Sequence, residues 1–283
     1  MATARDLVNR FSDVKTLPHV ALKVNELARS ESSTMSDFEE IIKMDPVLVT
    51  RLLRLVNSSF YGLNKKVESI SRAVAFVGMK ELNSLVAVEA VKDFFKEHKE
   101  IAGFSRKNLW VHSSTVAILG QMIAKRIFGQ EGEDVFLAGI LHDIGLIVED
   151  QVVGDLLRNA IVAYREGRDT LIKCEKEFIG TDHCLVGALL TEGWNLPTEI
   201  LDAVWRHHRD INQDSISSVA GIVQLAEFFS ARLKYAVVPG RIPPLPSPSL
   251  AMHVKQRLAD YKAIVEDLPS ELARAREVFD LDE

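Results

Sequence analysis

Ionisable side chains interrupt the apolar faces of five helical segments between residues 112 and 227 of this sequence. His112 precedes Val116 by four positions and His183 precedes Gly187 by the same spacing, so each histidine shares a helix face with core residues. A buried polar group without a partner costs about 1–3 kcal/mol, and a common partner for all of them would remove that cost. The set comprises His112, His142, Asp143, His183, His207, His208 and Glu227.

The chemistry that these residue types share is metal binding. Five imidazoles and two carboxylates are enough ligands for one or two divalent transition-metal ions, with Asp143 as the bridging ligand. Iron or manganese is favoured, and zinc or nickel also suits nitrogen and oxygen ligands without thiolate. The alternative is a metal-free network in which the same groups hydrogen-bond to one another and hold the helices in register. Cys184, which follows His183, is predicted to be a core thiol.

Helices must position these residues, and the helical periodicity of the apolar residues predicts an all-α fold. No run of strictly alternating polar and apolar residues is long enough to indicate a sheet. Asp45 followed by Pro46 predicts a helix start, and Ser36 with Glu39 three residues later predicts a capping box. Gly78 predicts a break in the helical stretch 69–95.

Changes in composition predict four parts of the chain. Residues 1–100 form an N-terminal helical lobe, and residues 101–236 form a second helical lobe that carries the histidines. The boundary between them falls in the polar stretch 97–107. Residues 237–249 contain five prolines and predict a stiff, extended connector. Residues 250–283 regain the spacing of a C-terminal helix.

The composition is typical of a soluble globular protein. The chain has 283 residues, of which 47% are hydrophobic and 26% charged, and these values exclude disordered and fibrous classes. A net charge of −6 argues against nucleic-acid binding, which needs a basic face. We expect no membrane span and no targeting segment, because the apolar stretches are too short. Two cysteines cannot form a disulfide framework, and the cytoplasm is the predicted compartment.

Several motifs resemble a known family. LHDIGLI at 141–147 resembles the signature of the HD superfamily of metal-dependent phosphohydrolases. The order of the candidate ligands is similar to that of the HD-GYP branch, which cleaves cyclic dinucleotides. The stretches TLPHVALKVNELA, MDPVLVTRLLRLVNSSFYG, SISRAVAFVGMKEL and DHCLVGALLTEGWNLPTEILDAVWRHH resemble the HDOD family, the HD-related output domain of bacterial signalling proteins. The resemblance runs from about Asp6 to Tyr235 and leaves out the connector and the tail.

The resemblance implies two helical lobes and a regulatory output role. Most HDOD members are thought to lack phosphohydrolase activity because their metal ligands are eroded, whereas this chain keeps histidines at the matching positions. It departs from the active HD-GYP pattern at single residues. Leu146 stands where HDxGK has a lysine, Asn108 stands where some members have a glutamate ligand, and Glu227 replaces the usual aspartate. No GYP segment follows the pair His207-His208.

The sequence is consistent with two functions. The first is a non-catalytic signalling module with a structural or sensory metal, which binds a signalling protein partner or a small nucleotide ligand. The second is a metal-dependent phosphohydrolase that acts on a nucleotide or cyclic dinucleotide, with Asp143 as its catalytic residue. The missing lysine and GYP segment favour the first function, and the retained histidines and aspartate favour the second.

Overall fold

A computed structural model of the chain consists of α-helices joined mostly by short loops. The described residues contain no β-strand, and their one extended pairing is an isolated bridge between Ile101 and Phe104. This confirms the all-α prediction. None of the helices in the described part of the chain combines the length and the hydropathy needed to cross a membrane. The structure describes residues 3–12, 23–24, 26–27, 33–58, 61–63, 65–96, 99–194, 196–211, 215–240 and 247–279.

The helices are numbered here in chain order. The N-terminal part forms α1 (Ala4–Ser12), α2 (Met35–Lys43), α3 (Pro46–Val56), α4 (Ile70–Val77) and α5 (Met79–Lys92), followed by a 3-10 turn at Asp93–Phe95. The remainder forms α6 (Arg106–Phe128), α7 (Glu133–Leu141), α8 (Ile144–Arg165), α9 (Leu171–Phe178), α10 (His183–Glu192), α11 (Thr198–Arg206), α12 (Val219–Arg232), α13 (Pro248–Gln256) and α14 (Leu258–Phe279).

The chain divides into two compact units. Residues 1–16 and 94–266 form the larger unit, and residues 17–93 and 267–283 form the smaller unit. Helix α1 therefore belongs with the histidine-bearing residues although it opens the chain. Helix α14 contributes residues to both units.

The smaller unit packs α2 to α5 around buried side chains such as Phe38, Leu52 and Leu85. Gly78 separates α4 from α5 at the predicted position. Its φ of 85° lies in the left-handed region, which glycine adopts without steric cost.

Helix caps in the smaller unit confirm one prediction and correct another. The Asp45 side chain caps α3 by accepting hydrogen bonds from two backbone amides, as predicted. The predicted capping box of Ser36 and Glu39 is wrong. Thr34 is the N-cap of α2 and Asp37 completes the box with it. Because the helix already begins at residue 35, Ser36 lies inside the first turn.

Two glycines of the larger unit allow helices to approach closely. Helix α7 packs along α6, and a Cβ added at Gly139 would lie 2.5 Å from the Cα of Ala117. Helix α8 packs against α10, and a Cβ at Gly145 would overlap the backbone carbonyl oxygen of His183. Only glycine fits at such distances, so these two positions bring the histidine-bearing elements within reach of one another.

The tail of the chain is helical in two segments, α13 and α14. The Ser247 hydroxyl caps α13 by accepting from the amide of Leu250, and Arg257 donates to the carbonyl oxygen of Ile127 in α6. Of the predicted proline-rich connector, residues 241–246 lie outside the described part of the chain.

Candidate metal centre

Four buried histidines of the larger unit are anchored through Nδ1. Nδ1 of His112 lies 2.6 Å from the carbonyl oxygen of Tyr235, and Nδ1 of His142 lies 2.8 Å from that of Gly139. Nδ1 of His183 lies 2.8 Å from the carboxylate of Glu175, and Nδ1 of His207 lies 2.8 Å from the carbonyl oxygen of Val204. Carbonyl and carboxylate oxygens only accept hydrogen bonds, so each Nδ1 donates. The other nitrogen, Nε2, of each neutral ring therefore carries a lone pair.

These Nε2 atoms meet in two pairs. Nε2 of His112 lies 3.2 Å from Nε2 of His142, and Nε2 of His183 lies 3.3 Å from Nε2 of His207. All four rings are buried. Two lone pairs that face each other at this distance repel unless a proton or a cation lies between them.

The carboxylate of Asp143 presents one oxygen to each pair. Its Oδ2 lies 3.5 Å from Nε2 of His112 and 3.2 Å from Nε2 of His142. Its Oδ1 lies 3.3 Å from Nε2 of His183 and 3.4 Å from Nε2 of His207. Among the described residues, Oδ1 is buried and has no hydrogen-bond partner. Asp143 could therefore serve as a ligand shared by the two groups of histidines.

The spacing of these donors fits divalent ions. Two ligand atoms about 2.1 Å from one ion lie about 3.0 Å apart at an octahedral angle and about 3.4 Å apart at a tetrahedral one. The nitrogen and oxygen atoms around Asp143 are separated by 3.2 to 3.5 Å. The metal-free network needs a proton between the two Nε2 atoms of each pair. The raised pKa values of His183 and His207 favour such a proton in one pair, whereas the lowered pKa of His112 opposes it in the other.

Six of the seven predicted ligands converge. Asp143, His183, His207 and His208 offer ligand atoms within 4.8 Å of one another, and so do His112, His142 and Asp143. Glu227 belongs to neither group. Its Oε1 lies 3.6 Å from Nε2 of His208, and both side chains are partly exposed. Glu227 thus lies beside the cluster and contacts it through His208.

In the metal-free cluster, the pKa values of the ionisable groups are shifted in different directions. Burial lowers the pKa of His112 to about 4, so this ring stays neutral. Burial also opposes charge on His183, but the carboxylate of Glu175 together with Cys184 and Asp143 outweighs it, and the pKa of His183 is raised well above its ordinary value. Burial acts against Asp143 in the same way, yet the surrounding histidines hold the pKa of its carboxyl well below the ordinary value. The site therefore combines an ionised carboxylate with rings that differ in proton affinity.

Comparison with known proteins identifies the family. The family model described as HDOD domain matches residues 14–210, which is more than half of the chain. The chain belongs to the HDOD family.

Relatives of this HDOD chain come from several bacteria. An uncharacterized protein of Treponema pallidum is 28% identical over 245 residues, which cover 83% of this chain and 46% of the relative. The HDOD chain thus spans about half the length of that curated relative. An HDOD domain protein of unknown function from Geobacter sulfurreducens has a solved structure with a TM-score of 0.74, at 24% identity over 96% of each chain. A protein of Shewanella amazonensis, named provisionally as a phosphohydrolase, gives a TM-score of 0.72 at 24% identity over 97% of each chain. The two solved structures show that the fold is shared.

Two residues of this HDOD domain that touch the cluster were not predicted as part of it. Glu175, in α9, accepts from both the ring Nδ1 and the backbone amide of His183. Cys184 is buried as predicted, but its Sγ lies 3.6 Å from Nε2 of His207. The histidines offset the effect of burial and lower the pKa of the Cys184 thiol. The environment of the candidate ligands therefore includes a carboxylate and a thiol.

Glu149, in α8, is a third buried ionisable residue that sequence reasoning missed. Neither of its carboxylate oxygens has a hydrogen-bond partner among the described residues. Burial raises the pKa of Glu149 well above its ordinary value, and the charge of Glu175 adds to this effect. The uncharged carboxyl is therefore the favoured form, and Glu149 belongs to neither group of candidate metal ligands.

A cavity of about 490 Å³ opens beside the cluster. Its wall includes His112, Asp143 and His183 from the centre of the cluster, and His208 and Glu227 from its rim. Small molecules in this cavity can therefore reach the same side chains that would hold a metal.

Proposed function

We propose that this HDOD domain is a metal-binding regulatory module of bacterial signal transduction that does not itself catalyse a reaction. The observation that carries this proposal is the convergence of imidazole lone pairs on both oxygens of Asp143. The apolar side chain of Leu146 in the cavity wall supports the non-catalytic part. A lysine at this position would offer a cation to a phosphate.

The metal would be held by two sets of residues that share Asp143. One set is His112, His142 and Asp143, and the other is Asp143, His183, His207 and His208. A bound divalent metal supplies the positive charge that a buried carboxylate and neutral imidazoles lack. Since the ligands come from α6, the α7–α8 junction, α10 and the end of α11, they would fix these elements relative to one another.

The signal would pass to or from another molecule in the cytoplasm. A signalling protein partner or a small nucleotide ligand fits this role. The net charge of −6 supports a partner other than nucleic acid, because a phosphate backbone is bound through a basic surface.

A metal-dependent phosphohydrolase acting on a nucleotide or cyclic dinucleotide is the second candidate. The cavity favours it, because the cavity reaches Asp143 directly. Divalent metals supply Lewis acidity for phosphoryl transfer. In this reading Asp143 orients the reacting groups, while Leu146 leaves the wall without the lysine of the active HD-GYP pattern.

Elemental analysis of anaerobically purified protein tests the proposal. We expect one or two equivalents of iron, manganese, zinc or nickel in the natural chain, and loss of the metal in Asp143→Asn. Asp202→Asn is the matched control, because Asp202 lies on α11, belongs to neither group of candidate ligands and forms an ion pair with the half-buried Arg206. Absence of metal after incubation with excess divalent ions would contradict the proposal and leave a hydrogen-bonded network.

Turnover separates the two candidates. A regulatory module shows no hydrolysis of nucleotides or cyclic dinucleotides with manganese or ferrous iron bound. Turnover that disappears in Asp143→Asn would establish the phosphohydrolase instead.

A further inference from the structure

One face of α3, in the smaller unit, carries a groove that the metal proposal does not use. Val47, Thr50, Arg51 and Arg54 follow one another at the spacing of a single helix face, and all four line a cavity of about 430 Å³. Thr50 and Arg54 also line a second cavity, of about 730 Å³, which is bounded by residues 66–68 as well. The two cavities share these residues, so they adjoin along α3. Together they are called the α3 groove.

The side chain of Asn57 fixes the shape of the α3 groove. Its Nδ2 donates to the carbonyl oxygens of Leu53 and Val67, both at 2.7 Å, and its Oδ1 accepts from the amide of Val67 at 2.7 Å. The Val67 side chain is buried, whereas that of the preceding Lys66 is exposed. These bonds hold residues 66–68 beside the end of α3. A groove that is formed before a partner binds lowers the entropic cost of binding.

The α3 groove contains cations that are not engaged in ion pairs. Arg54 and Lys66 are exposed and line the larger cavity, and neither forms an ion pair within the described part of the chain. Arg51 lines the smaller cavity and lies 3.6 Å from the buried carboxylate of Glu89, so its charge is partly neutralised. Positive groups in a groove attract a partner that carries carboxylates at matching positions.

The other end of the α3 groove is apolar. Val47 is 60% exposed, and Met44, three residues earlier in the chain, is 64% exposed. Neighbouring exposed apolar side chains beside a cavity are typical of docking surfaces, and methionine adapts its shape to different partners. The groove therefore combines an apolar end with a cationic end.

We infer that the α3 groove docks an acidic peptide segment of a signalling protein partner. Apolar side chains of the segment cover Met44 and Val47, and its carboxylates pair with Arg54 and Lys66. The inference rests on the proposed function, to whose protein partner it gives a docking surface. A nucleic acid fits the groove less well, because it is held through many phosphate contacts. Glu68 in the same wall repels phosphate as well.

Fluorescence anisotropy of a labelled acidic peptide mixed with the full-length chain tests the inference. The residues of α3 and its C-terminal end that line the groove run from Pro46 to Ser58. They span about 18 Å along the helix axis, which matches a peptide of about six extended residues. The probe carries leucines at one end and glutamates at the other. We expect a Kd below about 1 mM at low ionic strength, and weaker binding as salt screens the charges.

Charge reversal in the groove should weaken the binding of this peptide. Arg54→Glu replaces an attraction by a repulsion, so we expect a loss of affinity of about tenfold or more, and Lys66→Glu should act in the same direction. Both side chains are exposed, so the fold should persist, which circular dichroism measures. Arg72→Glu is the matched control, because Arg72 is an exposed arginine of the same unit that lines neither cavity.

The outcomes decide between occupants of the groove. No binding of the peptide, or equal binding by the natural chain and Arg54→Glu, overturns the inference. An oligothymidylate that binds more tightly than the peptide would assign the groove to nucleic acid instead. Self-association of the chain that Arg54→Glu abolishes would assign it to a second copy, and either result also overturns the inference.

The metal content of the same samples keeps this inference separate from the metal proposal. The groove residues belong to the smaller unit, and the candidate metal ligands belong to the larger one. A chain that takes up no metal but binds the peptide through Arg54 supports the inference while the metal proposal fails. A metal-loaded chain that does not bind the peptide overturns the inference while the metal proposal stands.

Discussion

Glu175 holds the imidazole of His183 from the side remote from Asp143, with both carboxylate oxygens 2.8 Å from Nδ1. The same carboxylate also accepts from the backbone amide of His183, at 3.1 Å. Since α9 and α10 are joined at this contact, Glu175 fixes the ring and the helix start together. An anionic partner on Nδ1 also makes Nε2 a stronger ligand.

Glu175→Gln removes the negative charge and keeps an oxygen that can accept from Nδ1, so the ring stays oriented but becomes less basic. We expect metal affinity to fall by about 10–100-fold, measured by competition with a chelator. Glu177→Gln, on the same helix but exposed and paired with Arg168, should leave the affinity unchanged. Equal affinities in the two variants would show that Glu175 has no influence on the metal.

The division of ligands around Asp143 predicts metal stoichiometry. His112 belongs to one set and His208 to the other, so His112→Gln and His208→Gln should each reduce metal binding in a chain that holds two ions to about one equivalent. His253→Gln is the control, because His253 stacks on Phe128 instead of joining the cluster. A single substitution that removes both ions would contradict two separable sites.

The pH dependence of metal binding follows from protons on the metal-free cluster. Burial opposes the charge, but Glu175 raises the pKa of His183, and Cys184 and Asp143 raise that of His207. A metal must displace these protons, so affinity should fall as the pH is lowered through the raised values. Calorimetry in buffers of different ionisation enthalpy should show proton release on metal binding. A proton count of zero would contradict the assignment.

The same pKa shifts predict how the stability of the metal-free chain depends on pH. A histidine whose pKa is raised by folding stabilises the fold fully below its unfolded pKa, near 6.5, and this contribution is lost as the pH rises through the folded value. Thermal unfolding of the metal-free chain should therefore show a decreasing contribution from these histidines above that pH. The metal-loaded chain should gain stability over the same interval, because deprotonated rings bind metal more tightly.

Close packing at Gly145 gives a prediction about stability. A methyl group there would overlap the carbonyl oxygen of His183, so Gly145→Ala should destabilise the chain by about 1–3 kcal/mol and reduce metal binding. Gly193→Ala serves as the control, because Gly193 has a helical φ of −74° and no atom within 4 Å of an added Cβ. Thermal denaturation and metal analysis of both variants measure the effect. Similar melting temperatures would show that α8 can move away from α10.

Much of the candidate site could be predicted from one pattern, an ionisable residue on an apolar helix face. That pattern located His112, His142, Asp143 and His183. Glu175 obeys the same rule, since it lies four residues after Leu171 and three before Phe178. It was missed because lysines and a further glutamate surround it in α9 and obscure the apolar face.

Other features could not be read from periodicity. The position of a helix start depends on which side chain forms the N-cap hydrogen bond. The sequence offers both Thr34 and Ser36, and Thr34 forms it. The contact of Cys184 with His207 arises between two helices, and periodicity within one helix carries no information about it. The assignment of one Asp143 oxygen to each histidine pair depends on the close approach of Gly145 to α10, which sequence spacing does not describe.

Three of the four Nδ1 anchors are backbone carbonyls, and two of these, at Gly139 and Val204, lie three residues before the histidine that they orient. A main-chain oxygen is present whatever side chain its residue carries. The orientation of His142 and His207 is therefore insensitive to most substitutions around them, provided that the helices persist. Mutations would abolish this arrangement mainly by replacing the imidazoles themselves, and among the four nearest Nδ1 partners Glu175 is the one that a side-chain change can remove.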